Sequence, residues 1–126
     1  MSVDIPYAFV FTDSADDDFV EVLSHYAEYG LRTAERFDSA VETTKELLSM
    51  FPYAAHKYDE KLDVYYCSIP KYPYALYMRI EDNEFAVIAF ALVPERQNPQ
   101  NIKKLITKRV QDLELRKTKE ASSYEN

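Results

Sequence analysis

Apolar positions change period several times along this chain, and the changes divide it into elements. Tyr7–Phe11 is a short apolar run that predicts a buried strand. Phe19, Val22, Leu23 and Tyr26 then recur at helical spacing, preceded by Ser14 as an N-cap oxygen with Asp17 three residues on. Asp16, Asp17 and Asp18 fall in the first turn, where a helix dipole favours negative charge. Gly30, the only glycine, stands where a C-cap needs a left-handed residue. A second helix carries Phe37, Val41, Leu48 and Phe51 on one face and stops at Pro52. The link between the two helices is short enough to impose an antiparallel hairpin.

Polar residues 53–63 read as a loop, and Val64–Ile69 reads as a strand stopped by Pro70 and Pro73. Tyr74, Leu76, Met78 and Ile80 alternate with Ala75, Tyr77 and Arg79, the period of a half-buried strand. Glu81-Asp82-Asn83-Glu84 is a turn centred on Asp82-Asn83. Phe85–Val93 is almost continuously apolar, which places it centrally in a sheet. Asn98-Pro99 supplies an N-cap and first-turn pair for a third amphipathic helix through Ile102, Leu105, Ile106 and Leu113. The order is β-α-α-β-β-β-α. Short links between consecutive strands favour a mostly antiparallel sheet packed against the helical hairpin, an α+β fold.

Composition narrows the function. A chain of 126 residues with 47% apolar residues is sized for a single modest core. No apolar run reaches membrane-spanning length, and no basic start precedes an apolar stretch as in a secretory signal. One cysteine, Cys67, has no internal disulfide partner, which suits a reducing cytoplasm. With one glycine there is no Gly-rich phosphate loop. Residues 1–65 carry 5 Lys/Arg against 14 Asp/Glu, a balance of −9, and residues 66–126 carry 10 against 8, a balance of +2. A net charge of −7 repels phosphate backbones at long range and weighs against general nucleic-acid binding.

Two segments, YAEYGLRTAERFDSAVETTKELLSMFP and YPYALYMRIEDNEFAVIAFALVPERQNP, resemble the helical hairpin and the last two strands of the RelE/ParE superfamily. These are small toxins of bacterial type II toxin–antitoxin (plasmid-stabilisation) modules. The resemblance covers Phe9 to Pro99 and is closer to the ParE branch, through the long hairpin and the Arg-Ile-Glu-Asp turn. It implies one RelE/ParE-like domain over residues 1–116, and the polar composition of 117–126 predicts a disordered tail. It also implies a cytoplasmic protein held by a cognate antitoxin, with DNA gyrase or the ribosome as target.

The nuclease branch has Arg after the Tyr that opens the penultimate strand, where this chain has Ala75. It ends the last strand in a basic pair, where this chain reads Val93-Pro94-Glu95-Arg96 and retains only Arg96. Its downstream Tyr or His falls near Ile102, and its basic strand corresponds to Val64–Ile69, without Lys or Arg. RNA cleavage needs a base, an acid and cations for the phosphorane. Arg96 is the candidate catalytic or contact residue, and Lys71, Tyr74 and Arg79 are candidate binding residues, with Arg79 alternatively bracing the hairpin. Three readings stay open: a target-binding toxin without catalysis, a diverged RNase using Arg96 with Tyr74 or His56, and a non-toxic binding module. No cofactor is expected.

Other clusters have ordinary explanations. Asp13, Asp16, Asp17 and Asp18 lack the glycine and spacing of a calcium loop, and capping accounts for them. His25 has no second histidine at zinc-pair spacing. Cys67 is read as a small packing residue. The tyrosines from Tyr53 to Tyr77 are either a contact surface or edge packing. Lys103, Lys104, Lys108 and Arg109 are either a solvated helix face or a patch for an acidic antitoxin segment, and the apolar stripe beside them either packs on the domain or forms a homodimer.

Overall fold

The computed structural model describes residues 5–124, with side chains through residue 117. The chain divides into two compact units, one ending at Arg96 and the other beginning at Gln97. The first holds strand β1 (Ala8–Phe11), helices α1 (Asp13–Ala27) and α2 (Leu31–Met50), and strands β2 (His56–Asp59), β3 (Val64–Ser68), β4 (Tyr74–Glu81) and β5 (Ala86–Pro94). The second holds α3 (Pro99–Tyr124). Of the tail expected to be disordered at 117–126, residues 117–124 are the end of α3, and 125–126 lie outside the described residues.

The strand order is β1-β5-β4-β3-β2, with β1 parallel to β5 and every other pair antiparallel. This is the expected α+β architecture with one strand more than the sequence reading gave. Residues 53–63 are not all loop: a 3-10 turn (Pro52–Ala54) leads into β2. Its sequence, His-Lys-Tyr-Asp, is polar because β2 is an edge strand with no face fully covered, and short, charged edges resist further pairing. β1 is the other edge. It alternates exposed and half-buried residues and is not the buried strand expected. β5 does lie between β1 and β4, and almost every residue in it is buried, as its apolar run requires.

The hairpin α1–α2 covers one face of the sheet. Val22, Phe37, Val41 and Leu48 from the helices pack with Leu76, Met78, Val87, Ala89 and Leu92 from the central strands. Full burial of each of these Val, Leu, Phe and Met side chains contributes roughly 1.5–3 kcal/mol. The start of α1 differs from the expectation. Thr12, not Ser14, is the N-cap, and its Oγ1 accepts the Ala15 N–H at 3.2 Å. Thr12 also donates its own N–H to Ala89 O at 3.0 Å, so the cap is fixed where β1 leaves the sheet. Gly30 has φ 121° and ψ 153°, and serves as the N-cap of α2 instead of a left-handed C-cap. Phe51 was expected on the core face. α2 ends at Met50, however, and Phe51, at φ −135° and ψ 76°, turns out to solvent.

β5 carries a bulge. Tyr77 faces Ala91 and Met78 faces Ala89, leaving Phe90 as the additional residue. β1 pairs with β5 only as far as Phe11–Ala89, so the amides of β5 beyond that point have no strand on that side. Asp18, on the second turn of α1, accepts the Leu92 N–H at 3.0 Å. In the second unit, Asn98 caps α3 as expected, its Oδ1 accepting the Gln100 N–H at 2.8 Å. Ile102, Ile106 and Val110 form the apolar stripe of that helix.

Candidate functional site

The sheet has two ends, and its chemistry is divided between them. At the end where β3 stops, β4 starts and β5 stops, the register sets Ser68 opposite Ala75 and Tyr74 opposite Pro94. Lys71, Tyr74 and Arg96 therefore share this end. Lys71 lies in the β3–β4 turn with φ 71° and is exposed, and Arg96 is exposed in the turn after β5. The turns are locked together by Glu95, whose N–H donates to Pro73 O at 3.0 Å and whose Oε2 accepts from Ser68 Oγ at 2.7 Å.

Tyr74 is committed differently. Its ring packs edge-on against Phe37 at 5.9 Å and Tyr26 at 6.3 Å, in a cluster completed by Tyr72. Burial, followed by the neighbouring tyrosines, raises the Tyr26 phenol above its ordinary range. Arg79 lies toward the opposite end of β4. Its Nε and Nη2 donate to Leu62 O at 3.2 and 2.6 Å, so the guanidinium braces the turn between β2 and β3. Of the four candidates, the fold brings three to one end and sets Arg79 apart. Ala75 is buried within β4.

The remaining candidates do not assemble with these. His56 is on β2, against the Tyr66 ring at 5.5 Å. His25 lies between Tyr26 and Tyr29 on α1. Burial pushes the Cys67 thiol up, away from the thiolate that a nucleophile requires. Among the described residues no group of three or more His, Cys, Asp or Glu could hold a metal ion. No helix among them is long and apolar enough to cross a membrane.

The opposite end, where β1 and β5 begin, holds a feature the sequence reading missed. Asp82 accepts the Tyr7 hydroxyl at 2.7 Å on Oδ1 and the Tyr53 hydroxyl at 2.6 Å on Oδ2. These bonds, Tyr53 first, hold the Asp82 carboxyl below the usual carboxylate range, and the Tyr53 phenol is pushed well up in return. Tyr7 is fixed from behind: its N–H donates to Ser49 O at 2.8 Å, and Ser49 Oγ donates to its carbonyl at 2.5 Å. Phe85 packs edge-on to Tyr7 at 5.7 Å, with a left-handed backbone (φ 51°, ψ 50°). Ile5, Tyr7, Met50, Phe51, Tyr53 and Phe85 line an open cavity of about 510 Å³ here. Tyr7, Tyr53 and Asp82 are far apart in sequence, and no local spacing announces them.

Residues 9–99 match the ParE toxin of type II toxin–antitoxin systems, parDE. The chain belongs to the ParE toxin family. Its matched region comprises the sheet and the hairpin and ends at the first residue of α3. The chromosomal ParDE toxin–antitoxin system of P. aeruginosa contains a ParE-fold relative with a TM-score of 0.60 at 14% identity, covering 70% of this chain and 95% of that one. The RelBE2 toxin–antitoxin complex of Mycobacterium tuberculosis gives a TM-score of 0.54 at 19% identity, over 77% of this chain and 100% of that one. At these identities the solved structures establish a shared fold. No curated protein matches the sequence.

Proposed function

We propose that this ParE-family chain is the toxin of a plasmid-stabilisation type module, acting in the cytoplasm by occupying a macromolecular target such as DNA gyrase, and neutralised by a cognate antitoxin. The observation that carries this reading is Ala75. It is a buried methyl near the start of β4, at the position where the nuclease branch has Arg. What remains at that end is Arg96 and Lys71, two exposed cations suited to contacting an acidic surface.

An RNase reading would need a base near Arg96. The Tyr74 ring is packed against Phe37 and Tyr26, and His56 lies on an edge strand three strands from β5. Both arrangements support binding over cleavage. Arg96 is the contact residue in this reading and Lys71 flanks it, while Tyr74 and Arg79 hold the two ends of β4 in shape.

Controlled induction of the chain alone, beside Arg96→Ala, tests the proposal. Growth arrest by the wild type, relief by the variant, intact transcripts and inhibited gyrase supercoiling with purified protein are the expected results. Cleaved transcripts would replace the reading with a nuclease. Normal growth with soluble, folded wild-type protein would replace it with a non-toxic binding module.

A further inference from the structure

The cavity at the β1/β5 start is lined by apolar side chains that a folded chain ordinarily covers. Ile5 and Phe51 are 66% and 61% exposed, Met50 and Tyr53 57% each, and Phe85 50%. Its volume of about 510 Å³ falls within the range of clefts that bury a bound ligand. Contiguous exposed apolar surface of this kind marks interaction sites. The surface is also braced. Asp82 ties Tyr7 to Tyr53, and Ser49 ties Tyr7 to α2, so four segments hold the floor in one arrangement. A preorganised floor loses little freedom when it is covered.

The rim decides what covers it. Asp82 and exposed Glu84 stand on the turn before Phe85. α2 ends at Met50 with no basic residue in its last turn, so the partial negative charge of its terminal carbonyls is uncompensated by its own side chains. Lys57, four residues beyond Tyr53, sits 4.3 Å over the Tyr65 ring and pairs with Asp63 at 3.4 Å. The first half of the chain, which supplies most of this floor, carries 14 acidic against 5 basic residues.

We infer that this groove is a docking site for a protein segment presenting at least two apolar anchors flanked by Lys or Arg. It is separate from the Arg96 end: the nine residues of β5 put about 30 Å between them. The site does not depend on what the toxin targets. Apolar anchors fill the floor between Phe51 and Phe85, and the basic flank meets Asp82, Glu84 and the α2 terminus. A segment of this type binds as an amphipathic helix or an extended strand.

Selection of random twelve-residue peptides on the purified full-length chain tests this, followed by fluorescence anisotropy of the enriched sequences. Enriched peptides are expected to carry two or more apolar residues with Lys or Arg nearby. Phe51→Ser and, separately, Met50→Ser are expected to weaken them at least about tenfold, as for a central anchor contact, with unchanged circular dichroism. Glu84→Lys is expected to weaken them about threefold or more at low salt, the difference fading at high salt. Enrichment of acidic peptides, binding that survives both groove variants, or no enrichment overturns the inference. A dimer of this chain that both groove variants dissolve also overturns it, because the occupant would then be a second copy.

Discussion

Asp18 on α1 accepts the backbone N–H of Leu92 on β5 at 3.0 Å, across 74 residues of sequence. The bond closes a gap that the topology creates. β1 stops at Phe11, opposite Ala89, and β5 runs on past it with one edge uncovered. Leu92 is buried, so its amide has no water to turn to. A carboxylate on the adjacent helix substitutes for the missing strand. One of the three aspartates that read as dipole-favoured thus has a tertiary role as well.

Removing that acceptor strands a buried donor. Asp18→Ala is expected to cost about 1–3 kcal/mol, the penalty of an unsatisfied buried polar group. Asp18→Asn keeps a carbonyl oxygen of the same reach and is expected to lose less than half as much. Urea denaturation of the three proteins measures the difference. Equal stability of all three would mean that Leu92 finds another acceptor.

Phe85 yields a test with an unusual sign. Its φ of 51° is a left-handed conformation that costs a non-glycine residue roughly 1–2 kcal/mol. Its ring recovers part of this through the edge-on contact with Tyr7. Phe85→Ala loses the ring and keeps the strain, whereas Phe85→Gly loses the ring and the strain together. The glycine variant is therefore expected to be the more stable of the two by about 1 kcal/mol, the reverse of their order in a helix. If alanine proves more stable, the turn relaxes out of the left-handed region when the ring is removed.

What the sequence revealed followed from local physics. β5 was legible because a strand lying between two others is buried along most of its length, and its residues are apolar accordingly. The hairpin was legible from the spacing of Phe37, Val41 and Leu48. β2 was not, because a short polar edge strand obeys solubility and not burial. Thr12 displaced Ser14 as the cap because the Thr12 N–H is held by Ala89 of the sheet, a constraint no helical window contains. Phe51 read as core because the helical period was continued one residue past the true end of α2. The groove was invisible because its residues come from the segment before β1, the end of α2 with the turn after it, and the β4–β5 turn, which only the folded sheet brings together.

The Tyr53–Asp82 bond predicts an acid limb. Asp82 is held below its ordinary value of 3.8, chiefly by the Tyr53 hydroxyl and then by Tyr7. A carboxylate with a depressed folded pKa stabilises the fold above its unfolded pKa, and the contribution is lost as pH falls through the folded value. The exposed setting keeps the effect small. Tyr53→Phe removes the larger cause, so the Asp82 carboxyl is expected to titrate closer to its ordinary value, with the Tyr7 bond retained. Carboxyl titration by NMR measures this. An unmoved Asp82 midpoint in the phenylalanine variant would show that the bond is not formed in solution.

Tyr77 predicts the opposite limb. It lies on the face of β4 away from the hairpin core, stacked on Tyr66 at 5.9 Å and edge-on to Tyr58 at 5.0 Å. Burial first, then Tyr58, Tyr66 and Glu95, push its phenol up to about 12 from an ordinary 10.0. The folded state therefore holds this proton more tightly than the unfolded chain does. Its contribution is fully present below pH 10.0 and is lost as pH rises through about 12. Tyr77→Phe keeps the ring packing and removes the titration, so the variant is expected to lose stability less steeply over that window, by up to one proton in the pH slope. Urea denaturation across the alkaline range, with tyrosinate absorbance read in parallel, measures both quantities. The same slope in the two proteins would mean that Tyr77 ionises as freely in the folded state as in the unfolded one, and that the stack with Tyr58 and Tyr66 opens to water.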